Sequence, residues 1–197
     1  MPSTKASTDK REAILAATLK LLSQRGFHGF SMKQLAAEAG VATGTIYLYF
    51  KDKERLIEGL HEDLLQRVAV DFFLDFDPEL TLCQQFSLFC HNYWVFCMAE
   101  PAAVLSKAQF DHLPAEVLVG QRNEARKVFA PLFVLFERGR EQGLLKNLPD
   151  EVLISLGLEP LVNLASKVHL GIQTIDDDQL EAIVQACWDA IARASQL

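Results

Sequence analysis

The stretch Ser31–Lys53, SMKQLAAEAGVATGTIYLYFKDK, decides how the rest of the chain is interpreted. It contains two short helical patterns separated by a turn. Ser31 is a favourable N-cap for the first, because its hydroxyl can accept a backbone N–H of the first turn. Gly40 follows the first pattern, where the chain must reverse without a Cβ penalty, and the second pattern begins at Thr43. Two short helices joined by a glycine-containing turn of about three or four residues predict a helix-turn-helix, whose second helix enters the DNA major groove.

The residues in and around this pair of helices form an ordered pattern: Phe27, Phe30, Ser31, Leu35, Ala36, Ala39, Gly40, Val41, Thr43, Gly44, Thr45, Ile46, Tyr47, Tyr49, Phe50, Lys53 and Leu56. This pattern resembles that of the tetracycline-repressor (TetR) family. It is detailed over residues 8–56 and only architectural beyond them. It implies a one-component transcriptional regulator, in particular a repressor, that binds a palindromic operator as a homodimer and is released by a small-molecule effector.

The resemblance also implies roles for single residues. In the family, the residues that match Thr43 and Gly44 face base edges, whereas those that match Thr45, Tyr47 and Lys53 hold phosphates, which fix the register on the duplex. Lys33, at the second position of the first helix of the helix-turn-helix pair, can reach a phosphate or a guanine edge. The predicted DNA-binding residues are therefore Lys33, Thr43, Gly44, Thr45, Tyr47, Tyr49 and Lys53.

Charge is distributed unevenly along the chain. Residues 1–53 carry eight Lys/Arg and four Asp/Glu, a net +4, whereas residues 54–197 carry 11 and 22, a net −11, which gives the overall −7. Because residues 1–53 are basic and residues 54–197 are acidic, the attraction for phosphates is placed at the N-terminal end of the chain. We therefore expect a DNA-binding domain over 1–53 and an effector-binding and dimerisation domain over 54–197.

Composition is that of an ordinary globular protein, with 50% hydrophobic and 23% charged residues among 197. No run reaches 18 apolar residues, and the N-terminus lacks the apolar centre of a signal peptide, so a cytoplasmic location and no membrane partner are expected. Four cysteines without CxxC spacing predict free thiols.

Apolar residues recur at helical spacing throughout and predict an all-α fold of about nine helices. Helix 1 is expected to start at a cap on Thr8 or Asp9, and helix 4 at a cap on Asp52. Helix 4 spans roughly 20 residues, about 30 Å, and is the predicted link between the two domains. Pro131 should kink a helix over residues 115–142. The last two helices are predicted over residues 150–169 and 176–194.

The helix after Pro78 is apolar nearly all round, which predicts burial in the middle of a domain. The resemblance implies that the helices after the DNA module enclose an effector cavity, and a mostly apolar lining suits a lipophilic effector. The candidates, for each of which a plain core position stays an alternative, are Phe86, Cys90, Tyr93, Trp94, Cys97, Phe110, Phe133 and Asn163. The resemblance further implies a dimer interface on the last two helices, with Leu156, Leu164, Val184, Trp188 and Ile191.

One apparent chemical motif, a row of cysteines, is better explained by structure. Cys83, Cys90 and Cys97 are seven residues apart, which is about 10.5 Å along a helix, whereas a disulfide needs Cα atoms within about 7 Å. We therefore expect these three cysteines to lie in the wall of a core or of a pocket.

The GxSxG, GxxxxGK[ST] and HExxH patterns are absent, so neither enzyme activity nor a cofactor or metal is expected. An all-α small-molecule-binding protein without DNA function is the alternative, and the complete helix-turn-helix pattern counts against it.

Overall fold

The structure, a computed structural model, describes residues 4–110 and 115–193, and the side chains of residues 9–110 and 119–193. Over these residues the chain is helical and contains no strand; Leu145 and Ala192 form an isolated antiparallel bridge. The predicted all-α fold is confirmed.

The helices follow one another closely along the chain. They are α1 (Thr4–Arg25), a 3-10 helix (Phe27–Gly29), α2 (Met32–Glu38), α3 (Thr43–Tyr49), α4 (Lys53–Phe72), α5 (Leu82–Ala99), α6 (Pro101–Phe110), α7 (Ala115–Val128), α8 (Ala130–Glu141), α9 (Asp150–Gly157), α10 (Glu159–His169) and α11 (Asp177–Ile191).

A shared capping motif starts several of these helices. A hydroxyl or carboxylate accepts the N–H of the residue three positions on, and the glutamine there reaches back to the backbone of the cap. The pairs are Ser31 with Gln34 in α2, Thr81 with Gln84 in α5, and Asp176 with Gln179 in α11. At α4, Asp52 Oδ1 accepts from the Arg55 N–H at 2.8 Å, as predicted.

The start of α1 differs from the prediction. The helix begins at Thr4, so Asp9 lies inside it and the predicted cap at Thr8 or Asp9 is wrong. The five residues Thr4–Thr8 contain no glycine or proline, and their moderate helix propensities let the helix extend past a residue pattern that resembles a cap.

Two prolines interrupt the C-terminal helices. At the kink predicted for Pro131 the structure has a break: α7 ends at Val128 and α8 begins at Ala130, so the one helix predicted over residues 115–142 is divided in two. The single helix predicted over residues 150–169 is wrong, because the chain divides at Leu158 and Pro160 lies in the first turn of α10. Proline lacks an N–H and fits only at the start of a helix, so Pro160 was the signal for the break.

The chain forms two compact units. The first comprises the described residues of Met1–Leu65 and Leu105–Glu124. It contains α1, α2, α3 and most of α4, together with parts of α6 and α7. Fully or almost fully buried side chains form its core: Ile14, Leu15, Leu22, Leu35, Ile46, Leu56, Ile57 and Leu60. Ile14, Leu15 and Leu22 are the contribution of α1 to this core.

The second unit comprises the described residues of Gln66–Val104 and Ala125–Leu197. Helix α5 lies at its centre and contacts α8, α10 and α11. Its core is aromatic: Phe72, Phe86, Phe89 and Phe136 are buried, and the Phe72 and Phe89 rings stack with centroids 4.9 Å apart. The predicted burial of α5 is confirmed. The functional boundary at residue 53 stays a prediction.

Candidate nucleic-acid interface

Helices α2 and α3 are held by local hydrogen bonds that the sequence specifies. Ser31 N–H donates to Gln34 Oε1 at 2.8 Å, and Gln34 N–H donates to Ser31 Oγ at 3.3 Å, which fixes the first turn of α2. Gly40 then adopts φ +65°, and Val41 N–H donates to the Ala36 carbonyl at 3.0 Å. A left-handed residue at this point turns the chain sharply, and glycine adopts that conformation without steric cost.

Two apolar side chains anchor α3 to the unit. Ile46 is completely buried and Phe50 is almost so, and these two side chains define the inward side of this helix. Thr43, Thr45 and Tyr49 are half-buried beside them. The inner side of α3 is therefore fixed by packing, which orients the outer side.

The outer side of α3 is open. Gly44 is exposed, and a Cβ built there would meet no atom within 4 Å. Tyr47 is 51% exposed and Leu48 is 84% exposed. Sequence reasoning assigned Gly44 and Tyr47 to this side but gave Leu48 no role; its place one turn after Gly44 was the available signal.

Lysines occupy two different environments around α3. Lys33 and Lys51 are exposed. Lys53 is half-buried, donates to the Phe30 carbonyl at 2.5 Å, and lies 5.0 Å and 3.8 Å from the ring centroids of Phe27 and Phe30. Burial lowers the pKa of the Lys53 ammonium, and the nearby Glu54 carboxylate offsets part of this shift. Since an ammonium has three donors, Lys53 can keep this bond and still reach a phosphate.

Arg11 also lies against α4. Its guanidinium is 3.9 Å from Asp63 Oδ1 and 5.8 Å from the centroid of the Phe50 ring. Lys20 similarly pairs with Glu38 at 2.5 Å. Three of the eight basic residues of 1–53, Arg11, Lys20 and Lys53, thus join helices to one another. Lys33 and Lys51 are among the basic residues whose charge is exposed.

A residue far along the chain completes the corner between α1 and α2. Gln109 on α6 accepts the Phe27 N–H through Oε1 at 3.0 Å, across 82 positions of sequence. One helical position on, the Phe110 ring lies against His61 with centroids 5.0 Å apart. Nothing in the local sequence pattern indicates these contacts, because they depend on how α6 folds back within this unit.

The predicted effector residues are divided between environments. Phe86, Cys90, Trp94 and Cys97 are buried in the core of the second unit, and Tyr93 and Phe133 pack against it. Phe110 belongs to the first unit and is buried there. The prediction for Asn163 is wrong: its side chain is exposed on α10, so it cannot line an interior cavity.

The thiols of α5 lie in apolar surroundings. Burial raises the pKa of Cys97 to about 12, although a hydrogen bond from Tyr93 opposes this shift, and burial also raises the pKa of Cys90. Cys83 is only partly buried. All four cysteines are free thiols.

Two of the predicted dimer residues face inward. Val184 is 4% exposed and Ile191 is completely buried in the single subunit, so their assignment to a subunit interface is wrong. The apolar residues of α11 recur at helical spacing, as the sequence predicts, but this apolar stripe faces α5 and α9 and not a second subunit. Leu156 is 40% exposed, and Leu164 and Trp188 are half-buried, so these three side chains remain available for contact with a second subunit.

An ion-pair cluster lines two adjacent surface cavities of about 490 and 320 Å³ in the second unit. Asp150 at the start of α9 accepts from Arg126 through Oδ2 and from Arg140 through Oδ1, the latter at 2.8 Å. Phe133, a predicted effector residue, lines the smaller cavity, where the Arg126 guanidinium lies 4.6 Å above its ring. This charged lining differs from the apolar lining that the sequence predicted.

Two buried polar groups were also missed by sequence reasoning. Within the described part of the chain, Ser106 Oγ and Gln121 Nε2 are buried without a hydrogen-bond partner, and both belong to the first unit. Buried polar atoms are usually satisfied by protein, water or ligand, so such atoms are candidates for contact with a small molecule.

The all-helical fold and the exposed outer side of α3 define a helix-turn-helix DNA-binding protein. The family model described as bacterial regulatory proteins, tetR family, matches residues 14–60, and the model described as tetracyclin repressor-like, C-terminal domain, matches residues 81–192. The chain belongs to the TetR family of transcriptional regulators.

Relatives extend over the whole chain. An uncharacterised HTH-type transcriptional regulator of Haemophilus influenzae is 30% identical over 190 residues, 95% of this chain and 98% of that protein. The solved structure of a TetR family protein from Vibrio parahaemolyticus is 39% identical, with TM-score 0.80, and covers 94% of this chain and 100% of that one. The fatty acid metabolism regulator protein of Bacillus subtilis is 27% identical over 131 residues, 60% of this chain and 66% of that protein.

No helix in residues 4–110 and 115–193 is both long and apolar enough to cross a membrane. The same residues contain no group of three or more His, Cys, Asp or Glu side chains placed to hold a metal ion.

Proposed function

We propose that this regulator is a repressor that binds a palindromic operator as a homodimer and leaves it when a small lipophilic effector binds. The observation that carries the DNA-binding part is the open outer side of α3, with Gly44, Tyr47 and Leu48 exposed above a buried Ile46. Exposed Lys33 and Lys51 supply phosphate contacts around it. In this proposal the base contacts come from Thr43 and Gly44 and the phosphate contacts from Thr45, Tyr47, Tyr49 and Lys53.

A homodimer makes the operator symmetric, because each subunit reads one half-site and the half-sites lie about 34 Å apart. Leu156, Leu164 and Trp188 are the remaining candidates for the interface. The effector acts by binding one arrangement of the two subunits better than the other, since only a difference in affinity can shift such a balance. Helix α4 is the proposed link, because it continues from residue 53 to residue 72.

The lipophilic class of effector is supported by the aromatic α5 and by the relative that regulates fatty acid metabolism. Within a mostly apolar site, a few polar groups orient the ligand. Tyr93 of α5, which packs against the aromatic core of the second unit, is proposed for this role.

The deciding experiment is binding of the full chain to DNA from its own gene neighbourhood across a salt series. Selective binding whose affinity falls steeply with salt is expected. Lys33→Ala should weaken binding on every sequence and reduce the salt slope by about one unit. Lys167→Ala, which removes an exposed charge on α10, is the matched control and should change neither quantity. Weak binding that is equal on all fragments would refute the proposal.

Repression and release need separate measurements. Transcription in vitro from the bound promoter should fall when the protein is added. Fatty acids and acyl thioesters of graded chain length should then release the protein from DNA and raise its melting temperature, as ligands of the folded state do. Release by polar metabolites alone would contradict the lipophilic class.

A further inference from the structure

Leu48 is the feature of α3 that the proposed contacts leave unexplained. It is 84% exposed, more than any other large hydrophobic side chain of the described residues. A single exposed leucine is ordinary on most surfaces. On a helix whose inner side is held by Ile46 and Phe50, however, the outward position is the one that meets a DNA groove.

The surroundings of Leu48 favour close approach to a base edge. Gly44 precedes it by four positions, so both residues lie on one face of the helix. A Cβ at Gly44 would meet no atom within 4 Å, and the backbone there carries no side chain to hold the helix away from the groove. Leu48 is therefore the long side chain of this face, with Tyr47 beside it.

The chemistry of the side chain limits what it can recognise. Leucine has neither a hydrogen-bond donor nor an acceptor, so it cannot pair with the polar groups of guanine, cytosine or adenine. The apolar group at a base edge of the major groove is the 5-methyl of thymine. We propose that Leu48 is a specificity-determining residue that reads one thymine in each half-site through its 5-methyl group. This assignment rests on the proposed DNA-binding function.

The test uses deoxyuridine, which pairs like thymidine but lacks the methyl group. An operator is first selected from a random-sequence library with the full-length protein. Each thymine is then replaced singly by deoxyuridine, and dissociation constants are measured for the wild-type protein and for Leu48→Ala. For the wild type, one thymine per half-site should give a loss of about fourfold, the effect of exposing one methyl group.

Coupling between the two changes identifies the contact. Leu48→Ala should weaken binding to the thymine operator and then be indifferent to deoxyuridine at that one position, so the two losses are not additive. Leu48→Met, which keeps an apolar side chain of similar length, should remain sensitive. The melting temperatures of both variants should equal that of the wild type, because the side chain is exposed.

Three results would overturn the assignment. The first is selective binding by the wild type with no thymine whose methyl matters. The second is a Leu48→Ala protein that keeps the full sensitivity to deoxyuridine. The third is an equal loss on all sequences, which would place Leu48 against the sugar–phosphate backbone. If the wild type selects no sequence at all, the proposed function fails first, and that result is distinct from these three.

Discussion

The ammonium of Lys53 donates to the carbonyl oxygen of Phe30 at 2.5 Å and lies 3.8 Å from the centroid of the Phe30 ring. This contact joins the first residue of α4 to the residue that precedes the N-cap of α2, across 23 positions of sequence. Lys53 therefore helps to hold the helix-turn-helix together, in addition to the phosphate contact proposed for it.

Replacing Lys53 should cost stability as well as DNA affinity. Lys53→Met removes the donor to the Phe30 carbonyl and the cation above two rings, for an expected loss of about 1–3 kcal/mol in the free energy of unfolding. Lys51→Met removes an exposed charge two positions away and is the control. Urea unfolding of the two variants measures the difference. Equal stability would contradict a structural role for Lys53.

Gly44 and Gly59 should respond oppositely to a methyl group. Gly44→Ala places its Cβ in open space within α3 and should stabilise the protein by about 0.5–1 kcal/mol. Gly59→Ala places its Cβ 2.8 Å from Phe50 Cε1 and should destabilise it by about 1–3 kcal/mol. Thermal unfolding gives both values. At Gly44 a larger residue such as glutamate should abolish DNA binding while the protein stays folded.

Gln109 should control the corner between α1 and α2. Gln109→Ala leaves the Phe27 N–H without its side-chain acceptor, at a cost of about 1 kcal/mol. Hydrogen exchange of the Phe27 amide should then become faster, and DNA binding should weaken. Gln109→Glu keeps an acceptor oxygen at the same place and should preserve the protection. Unchanged exchange in Gln109→Ala would show that another group protects this amide.

Leu156 and Ile191 separate the interface from the core. Leu156→Asp puts a charge on an exposed apolar position of α9 and should shift the protein from dimer to monomer in sedimentation equilibrium while it stays folded. Ile191→Ala creates a cavity at a completely buried position of α11 and should cost about 2–5 kcal/mol in urea unfolding. A dimer that survives Leu156→Asp would move the proposed interface to another surface.

The thiols of α5 should react in the order of their exposure. Because burial raises the pKa of Cys97 to about 12, its thiolate is scarce near neutral pH, and the buried Cys90 is similarly protected. Alkylation with iodoacetamide should therefore modify the partly exposed Cys83 first, as read by peptide mass spectrometry.

The same shift has a consequence for stability at high pH. A raised pKa means that the folded state binds more protons than the unfolded state between the ordinary thiol value of 9.0 and about 12. The contribution of Cys97 to stability is thus present below 9.0 and is lost as the pH rises through this range. Cys97→Ala should flatten the decline in the free energy of unfolding over that interval relative to the wild type.

The sequence by itself determined the features that depend on nearby residues. The cap at Ser31, the reversal at Gly40 and the inward Ile46 each follow from local hydrogen bonding, backbone conformation and helical period. The break at Pro131 follows from a missing N–H. For the same reason the ordered pattern from Phe27 to Leu56 was sufficient to indicate the family.

The tertiary structure decided which side of each apolar helix is covered and by what. Helical period places Val184 and Ile191 on one stripe, but it cannot say whether that stripe faces the subunit core or a second subunit. The bond from Phe27 to Gln109 and the inward position of Lys53 likewise join residues far apart in the chain. Such contacts depend on the packing of whole helices, and no short stretch of sequence contains that information.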